Sequence, residues 1–368
     1  MSFEPGFHAE EQILDEDGRV LDGETPPDLD DDVFVDMYKQ MRLCRQFDKR
    51  AVSLQRQGRM GTYSTMLAHE GALVGSAFAL RDDDWIVPYY RDHGATVTHG
   101  LGFEHILQYY MGHEEGSVVP EDTSVFPICI TIGDQIPHAT GAGMASKLRD
   151  GDDSAVVCYF GDGATSEGDF HEGLNFAGVF DTPNVFFCLN NQWAISTPIE
   201  KQTAASTLAQ KASGYGFDGV RVDGMDPLAV YEVTRKALET ARDAESEAPR
   251  PTLVEALLYR IGAHNTSDDP SNYRQESETE PWRERDPISR METFLRERGL
   301  LSDERIAAIE EENTEEIESA VEIAEAYEPD PDDIFEHVFD ELPDRIEEQR
   351  AAFRELHEQY GDEAFLRD

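Results

Sequence analysis

The sequence predicts an α/β protein on a doubly wound parallel sheet, with a helical C-terminal extension. Two observations carry the prediction. Short apolar runs alternate with helix-like segments from Trp85 to Arg260, the pattern of strand–helix–strand units. Beyond Pro287 the chain becomes acidic and continuously helical in pattern.

Residues 1–30 are polar, acidic and punctuated by Pro and Gly, which reads as an extended arm. Asp30–Asp32 then supply helix N-cap chemistry, and Val33, Met37, Met41, Leu43, Phe47, Val52 and Leu54 recur near helical spacing up to Gly58. EGALVGSAFAL (70–80) is a small-residue helix and WIVPYY (85–90) a short strand. GDQIPHATGAGMASKL (133–148) turns into a second small-residue helix. The series continues with strand AVVCYF (155–160), helix EGDFHEGLNFAGVF (167–180), strand NVFFCLNN (184–191) and helix TLAQKASGYG (207–216). Strand GVRVDG (219–224), helix DPLAVYEVTRKALETARD (226–243) and strand PTLVEALLYR (251–260) complete it. This divides the chain into an arm (1–30), an α/β domain (31–285) and an acidic helical extension (286–368).

The 368 residues hold 77 acidic and 31 Lys+Arg side chains, a formal net charge of −46. Such a surface excludes nucleic acid and anionic membranes as partners, since both need basic surfaces. Disorder is excluded by 39% hydrophobic and 10% aromatic residues gathered into apolar runs. An acid coat on a folded protein fits a halophilic source, because the Debye length shrinks to about 3 Å near 1 M salt and screens the self-repulsion. Cys44, Cys129, Cys158 and Cys188 lack CxxC spacing and read as free thiols in a reducing compartment. With no signal-peptide pattern and no apolar run near the ~20 residues of a membrane helix, the expectation is a cytoplasmic protein.

The chemistry concentrates between Gly161 and Ser196 (GDGATSEGDFHEGLNFAGVFDTPNVFFCLNNQWAIS). Gly161-Asp162-Gly163 and Asn190-Asn191 each follow a predicted strand, and ligands of open α/β sheets bind beyond strand carboxyl ends. Glycines let backbone approach an anion closely at a helix start. Asp162 and Asn191 add two hard oxygen donors suited to Mg²⁺, which completes its coordination with phosphate and water. A P-loop is excluded because Asp169 stands where lysine must be, and a dinucleotide fingerprint because Ser166 replaces its third glycine. Alone, Gly-Asp-Gly is a common turn; with Asn191 standing 29 residues after Asp162, it becomes a candidate diphosphate–metal site.

This pairing resembles the thiamine diphosphate motif. The words around it, with YSTMLAHEGALVGSAFAL, YYRDHG, GDQIPHATGAG, VDGMDPLAVYEV and YRIGAHNTSDDPSNYR, resemble the alpha subunit of the first, decarboxylating component of 2-oxo acid dehydrogenase complexes over residues 30–350. The run STPIEKQT to VDGMDPLAVY leans toward the pyruvate type, with branched-chain 2-oxo acid and acetoin dehydrogenases as alternatives, and a cofactor-binding structural paralogue as a different class. The resemblance implies a thiamine-diphosphate-binding fold. It also implies Asp162, Asn191 and the Trp193 carbonyl as Mg²⁺ ligands, Tyr90 and Arg91 on the diphosphate, and Ile132 supporting the bent cofactor. Gly161, Gly163 and Ala164 would line the phosphate turn.

His264, flanked by Gly262 and Thr266–Asp269, matches the family's active-site histidine; an imidazole near neutral pKa there would orient the substrate carboxylate and assist proton movement. His93 and His138 read as structural. Two departures stand out: Asn265 replaces the phosphorylatable serine of mammalian members, and Leu189 stands where relatives often carry a charge. The glutamate that activates the cofactor in such split enzymes comes from a second chain. The resemblance therefore implies a beta subunit in an α₂β₂ heterotetramer, a 2-oxo acid substrate and a lipoyl transacylase core as acceptor.

Overall fold

The computed structural model describes residues 10–361, apart from 246, 329 and 337. The strands are β1 (Glu10–Glu11), β2 (Trp85–Val87), β3 (Val156–Gly161), β4 (Asn184–Asn190), β5 (Trp193–Ala194), β6 (Thr197–Pro198), β7 (Asp218–Asp223) and β8 (Thr252–Leu257). Six of them form one sheet in the order β1-β7-β8-β4-β3-β2, every pairing parallel; β5 and β6 make a separate antiparallel hairpin. The helices are α1 (Asp31–Arg56), α2 (Glu70–Ala77), α3 (His93–Thr98), α4 (Phe103–Met111), α5 (Gln135–Leu148), α6 (Gly168–Phe180), α7 (Ile199–Gln202), α8 (Pro227–Arg242), α9 (Glu280–Arg283), α10 (Pro287–Glu297), α11 (Asp303–Glu325), α12 (Asp333–Glu336) and α13 (Asp344–Tyr360).

The parallel sheet is buried on both faces, so its central strands are apolar throughout rather than alternating. Side chains of β3 and β4 still divide by parity. Val157, Tyr159, Val185, Phe187 and Leu189 join the core under α1, α2 and α8. Val156, Cys158, Phe160, Phe186 and Cys188 face Ile136 of α5 and Phe170, Leu174 and Ala177 of α6. Leu189, the departure noted from the sequence, is fully buried in the first of these cores. Helices on both faces make the sheet doubly wound, as the alternating pattern predicts.

Local chemistry sets the ends of these elements. α1 opens on Asp31 and Asp32 and closes on Arg56, which complements the helix dipole; Asp30 stands at the N-cap in extended conformation without a side-chain capping bond. Asp226 caps α8 through the Leu228 and Ala229 amides, and its other oxygen accepts from the Ile13 (2.7 Å) and Leu14 (2.6 Å) amides. One carboxylate thus starts a helix and holds the arm, whose Glu10–Glu11 pair with β7 at the sheet edge. Strand β2 is shorter than the WIVPYY run because Pro88 has no amide to donate. TLAQKASGYG forms a 3₁₀ stretch, Ala209–Tyr215, where an α-helix was expected; Gly214 and Gly216 break its end, the latter in left-handed conformation.

The acidic extension docks on α1 through α11. Ile309, Ile317, Val321 and Ala324 are buried there, and flanking ion pairs include Lys39–Glu312 (2.6 Å) and Arg50–Glu318 (2.8 Å). Cys44, Cys158 and Cys188 are buried, Cys129 partly so, and all four are free thiols. Among the described residues, no helix is long and apolar enough to cross a membrane.

Candidate active site

Gly161 of β3 pairs with Leu189 of β4 in parallel register. Both strands leave the sheet at its carboxyl end, which brings Asp162 and Asn191 to one place. They open into a cleft of about 480 Å³. Its walls include every residue singled out from the sequence: Tyr90, Arg91, Ile132, Gly161, Asp162, Gly163, Ala164, Asn191, Trp193 and His264. His93 and His138 are not among them.

Asp162 begins a 3₁₀ turn, Asp162–Ser166, and is 1% exposed. Burial pushes its carboxyl up to about 6, and the neutral Gln202 amide, which donates to Oδ2 at 2.8 Å, only partly offsets that. A buried carboxylate whose side-chain partner is a neutral amide is a natural seat for a cation. Gly163 has no room for a side chain, since a Cβ would stand 2.9 Å from that of Ala194. Among the described residues no group of three or more His, Cys, Asp and Glu could hold a metal by itself. A cation here would therefore rest on mixed oxygen donors and on its own ligand, the habit of Mg²⁺.

The two asparagines have separate tasks. Asn190 donates to buried Glu255 (2.7 Å) and accepts from the Gln192 amide (3.1 Å), so it builds the turn. Asn191 projects into the cleft; its Nδ2 meets His69 Nε2 at 3.2 Å and its Oδ1 accepts from the Trp193 amide at 3.2 Å. Two residues of this loop, Gln192 (φ 69°) and Ile195 (φ 54°), take the left-handed conformation without being glycine. Such a backbone costs about 1–3 kcal/mol per residue and is characteristic of functional loops.

Two buried guanidiniums flank His264, and Arg91 lines the cleft itself. Arg91, 2% exposed, donates to the Thr65 carbonyl and to the His264 carbonyl (2.6 Å). Arg260, 1% exposed at the end of β8, donates to the Ile195 carbonyl (2.7 Å), the Tyr273 hydroxyl (2.7 Å) and, more distantly, the Trp193 carbonyl (3.4 Å). His264 Nδ1 lies 3.4 Å from Arg91 Nη2 and 3.5 Å from Arg260 Nη1. Both neighbours are obligate donors, so Nδ1 is the accepting nitrogen and the ring proton sits on Nε2. Asp268 fixes the loop by accepting from the His264 amide (2.7 Å) and from Tyr273.

This environment corrects the near-neutral imidazole expected from the sequence. Burial first, then Arg91 and Arg260, lower His264 to about 4. Sequence reasoning missed Arg260, Gln202 and His69. The position of Arg260 at a strand's carboxyl end was a usable signal; His69, 122 residues from its partner, offered none.

The profile of the Dehydrogenase E1 component family matches residues 38–332. The chain belongs to that family. A pyruvate dehydrogenase E1 component subunit alpha of Bacillus subtilis (strain 168) is 40% identical over 341 residues, 92% of this chain and 90% of that one. The corresponding Bacillus cereus subunit is 41% identical over 94% of this chain and 92% of its own length. A 3-methyl-2-oxobutanoate dehydrogenase subunit alpha of Mycobacterium tuberculosis (strain ATCC 25618 / H37Rv) is also 41% identical, over 89% of this chain and 88% of its own. The protein is an E1 alpha subunit, one chain of a two-chain decarboxylating component, and its family implies thiamine diphosphate and a beta subunit.

In this E1 alpha subunit, His264 is neutral at every pH above about 5, because its folded-state pKa lies below the ordinary histidine value near 6.5. The ring protonates in the folded state only near pH 4, while stability is lost progressively as pH falls from about 6.5 through 4, where the unfolded chain binds the proton and the fold does not. In ¹⁵N-histidine-labelled protein without cofactor, its ring resonances should stay flat from about pH 8 to 5.5 and report the Nε2–H tautomer. A midpoint near 6.5 would contradict the assignment.

Proposed function

We propose that this alpha subunit, with its beta partner in an α₂β₂ heterotetramer, oxidatively decarboxylates pyruvate and passes the acyl group to the lipoyl group of a transacylase core. One observation carries the reading: a buried carboxylate whose side-chain hydrogen-bond partner is a neutral amide shares one cleft with the buried Arg91 guanidinium. That arrangement suits a divalent cation bound to a polyanion. A branched-chain 2-oxo acid is the second substrate reading, because the Mycobacterium tuberculosis relative is as similar as the pyruvate ones.

In this reading Asp162, Asn191 and the Trp193 carbonyl hold Mg²⁺. Tyr90, Arg91 and the turn at Gly161, Gly163 and Ala164 take the diphosphate, the fork geometry of the guanidinium matching phosphate oxygens. Exposed Ile132 gives the cofactor an apolar support. Thiamine diphosphate supplies the carbon nucleophile and the electron sink for loss of CO₂. His264 donates from Nε2 to a substrate oxygen, while Nδ1 stays tied between the guanidiniums. A diphosphate bound at Arg91 offsets its charge and raises the imidazole from its low value, so proton-holding capacity rises with cofactor loading.

The isolated chain should show no decarboxylation, and co-expression with a beta subunit should restore turnover dependent on Mg²⁺ and thiamine diphosphate. Robust turnover by the chain alone would refute the split site. A substrate panel of pyruvate against branched-chain 2-oxo acids then decides between the two readings.

Asp162→Ala should abolish metal-dependent cofactor binding, read by quenching of Trp193 fluorescence. His264→Ala should leave that binding within about threefold and lower acyl transfer to lipoate by about 10²–10⁴-fold, the range of a lost acid–base group. Unchanged overall turnover would remove His264 from the mechanism.

The charge of −46 points to work in concentrated salt. Melting temperature should climb steeply as KCl rises toward about 1 M and the screening length falls to about 3 Å. A flat melting curve from dilute buffer upward would dismiss salt adaptation.

A further inference from the structure

We propose that Gln202 and His69 are positioning residues for the divalent cation, each aiming one of its two side-chain ligands. The inference rests on the reading of Asp162 and Asn191 as those ligands, and it adds two residues that neither motif contains.

Gln202 closes the short helix α7 and spends its amide group on two acceptors, Asp162 Oδ2 (2.8 Å) and the Thr197 carbonyl (3.1 Å). The first bond fixes the rotation of the carboxylate. A carboxylate has about four lone-pair sites, so the Gln202 bond and the neighbouring Asp162 and Asn191 amides still leave capacity for a metal. The second bond ties α7 to β6 and prevents the amide from swinging away. Gln202 Oε1 is buried without a hydrogen-bond partner. Mg²⁺ keeps several waters when bound, and those waters are donors in search of such an acceptor.

His69 works on the other ligand. Its Nδ1 lies 3.0 Å from the Leu67 carbonyl, which can only accept, so the ring proton sits on Nδ1 and Nε2 is bare. The Asn191 group 3.2 Å from that bare nitrogen must then be the NH₂, which turns Oδ1 toward the Trp193 amide and the cleft. A flipped amide would set oxygen against a lone pair. Two of the four non-glycine residues in left-handed conformation among the described residues flank this pair: Ala68 (φ 68°) immediately precedes His69, and Gln192 (φ 69°) immediately follows Asn191. Partners that orient metal ligands typically matter by 10–100-fold in metal affinity.

The test uses the alpha–beta complex with thiamine diphosphate present and Mn²⁺ as a paramagnetic probe, its free fraction read by electron paramagnetic resonance. Gln202→Met, which keeps bulk and removes the amide, should weaken Mn²⁺ about 10–100-fold, and His69→Phe should do the same. His69→Gln, which restores an acceptor, should return affinity to within about threefold of the parent. The metal-free Gln202→Met complex should melt lower by only a few degrees and stay folded at the assay temperature, so lost Mn²⁺ affinity reports aiming rather than unfolding. Mn²⁺ affinity within about twofold of the parent in Gln202→Met and His69→Phe overturns the proposal. If Asp162→Ala nevertheless loses Mn²⁺, the reading of the cleft survives without these two residues. If the parent complex itself binds no Mn²⁺, both fall together.

Discussion

The parallel pairing of β3 with β4 is the constraint on which the rest depends. Because Gly161 and Leu189 stand opposite one another, the chain must release Asp162 and Asn191 at neighbouring points on the carboxyl end of the sheet. A register shift of one residue would rotate every side chain of β4 to the other face, exchanging the Phe187/Leu189 set for the Phe186/Cys188 set. Both sets are buried and apolar, so parity alone does not fix the register. Fixed points at the end of the strand do: Glu255 of β8 takes the Asn190 amide, and the Leu258 amide donates to the Asn190 carbonyl at 3.0 Å. Asn190 is the register pin, and Asn191 is the group it delivers.

Electrostatics inside the cleft opposes electrostatics outside it. A chain with a net charge of −46 would repel a diphosphate and a 2-oxo acid at long range. Arg91 and Arg260 give the cleft a local field of the other sign, and both are buried among backbone carbonyls that hold them without neutralising them. Neutral acceptors keep the cationic charge available for a ligand, whereas carboxylate partners would consume it. Salt then plays two parts at once: it screens the distant acidic surface and leaves the desolvated cleft largely untouched.

The strand–helix alternation, the two strand ends and the residues around them were legible because they are local. Asp162, Asn191 and His264 announced themselves through short words of sequence. The residues that govern their behaviour did not. His69 reaches Asn191 across 122 positions, and Gln202 reaches Asp162 across 40. Only the closure of the sheet makes them neighbours. The pKa of His264 was illegible for the same reason, since burial by the closed fold lowers it first and Arg91, 173 residues away in sequence, lowers it further. The 3₁₀ form of Ala209–Tyr215 escaped because its composition is helical; the geometry is set by Glu255, which draws the Ala209 amide inward at 2.9 Å.

Glu255 also shows how the site and the core are joined. It is 1% exposed, its two oxygens accept from the Asn190 side chain and the Ala209 backbone, and Arg221 stands 3.8 Å away. A buried carboxylate with donors on both oxygens is oriented as well as tolerated. It contrasts with Asp162, which burial raises to about 6 with a neutral amide as its side-chain partner. Two acids at one end of one sheet, equally buried, have opposite environments: the first is satisfied by protein and organises the turn, the second is left for a ligand to satisfy. Folding energy can stabilise the first completely. In the proposed reading a bound cation completes the stabilisation of the second, so part of its binding free energy offsets the cost of keeping that buried carboxylate charged.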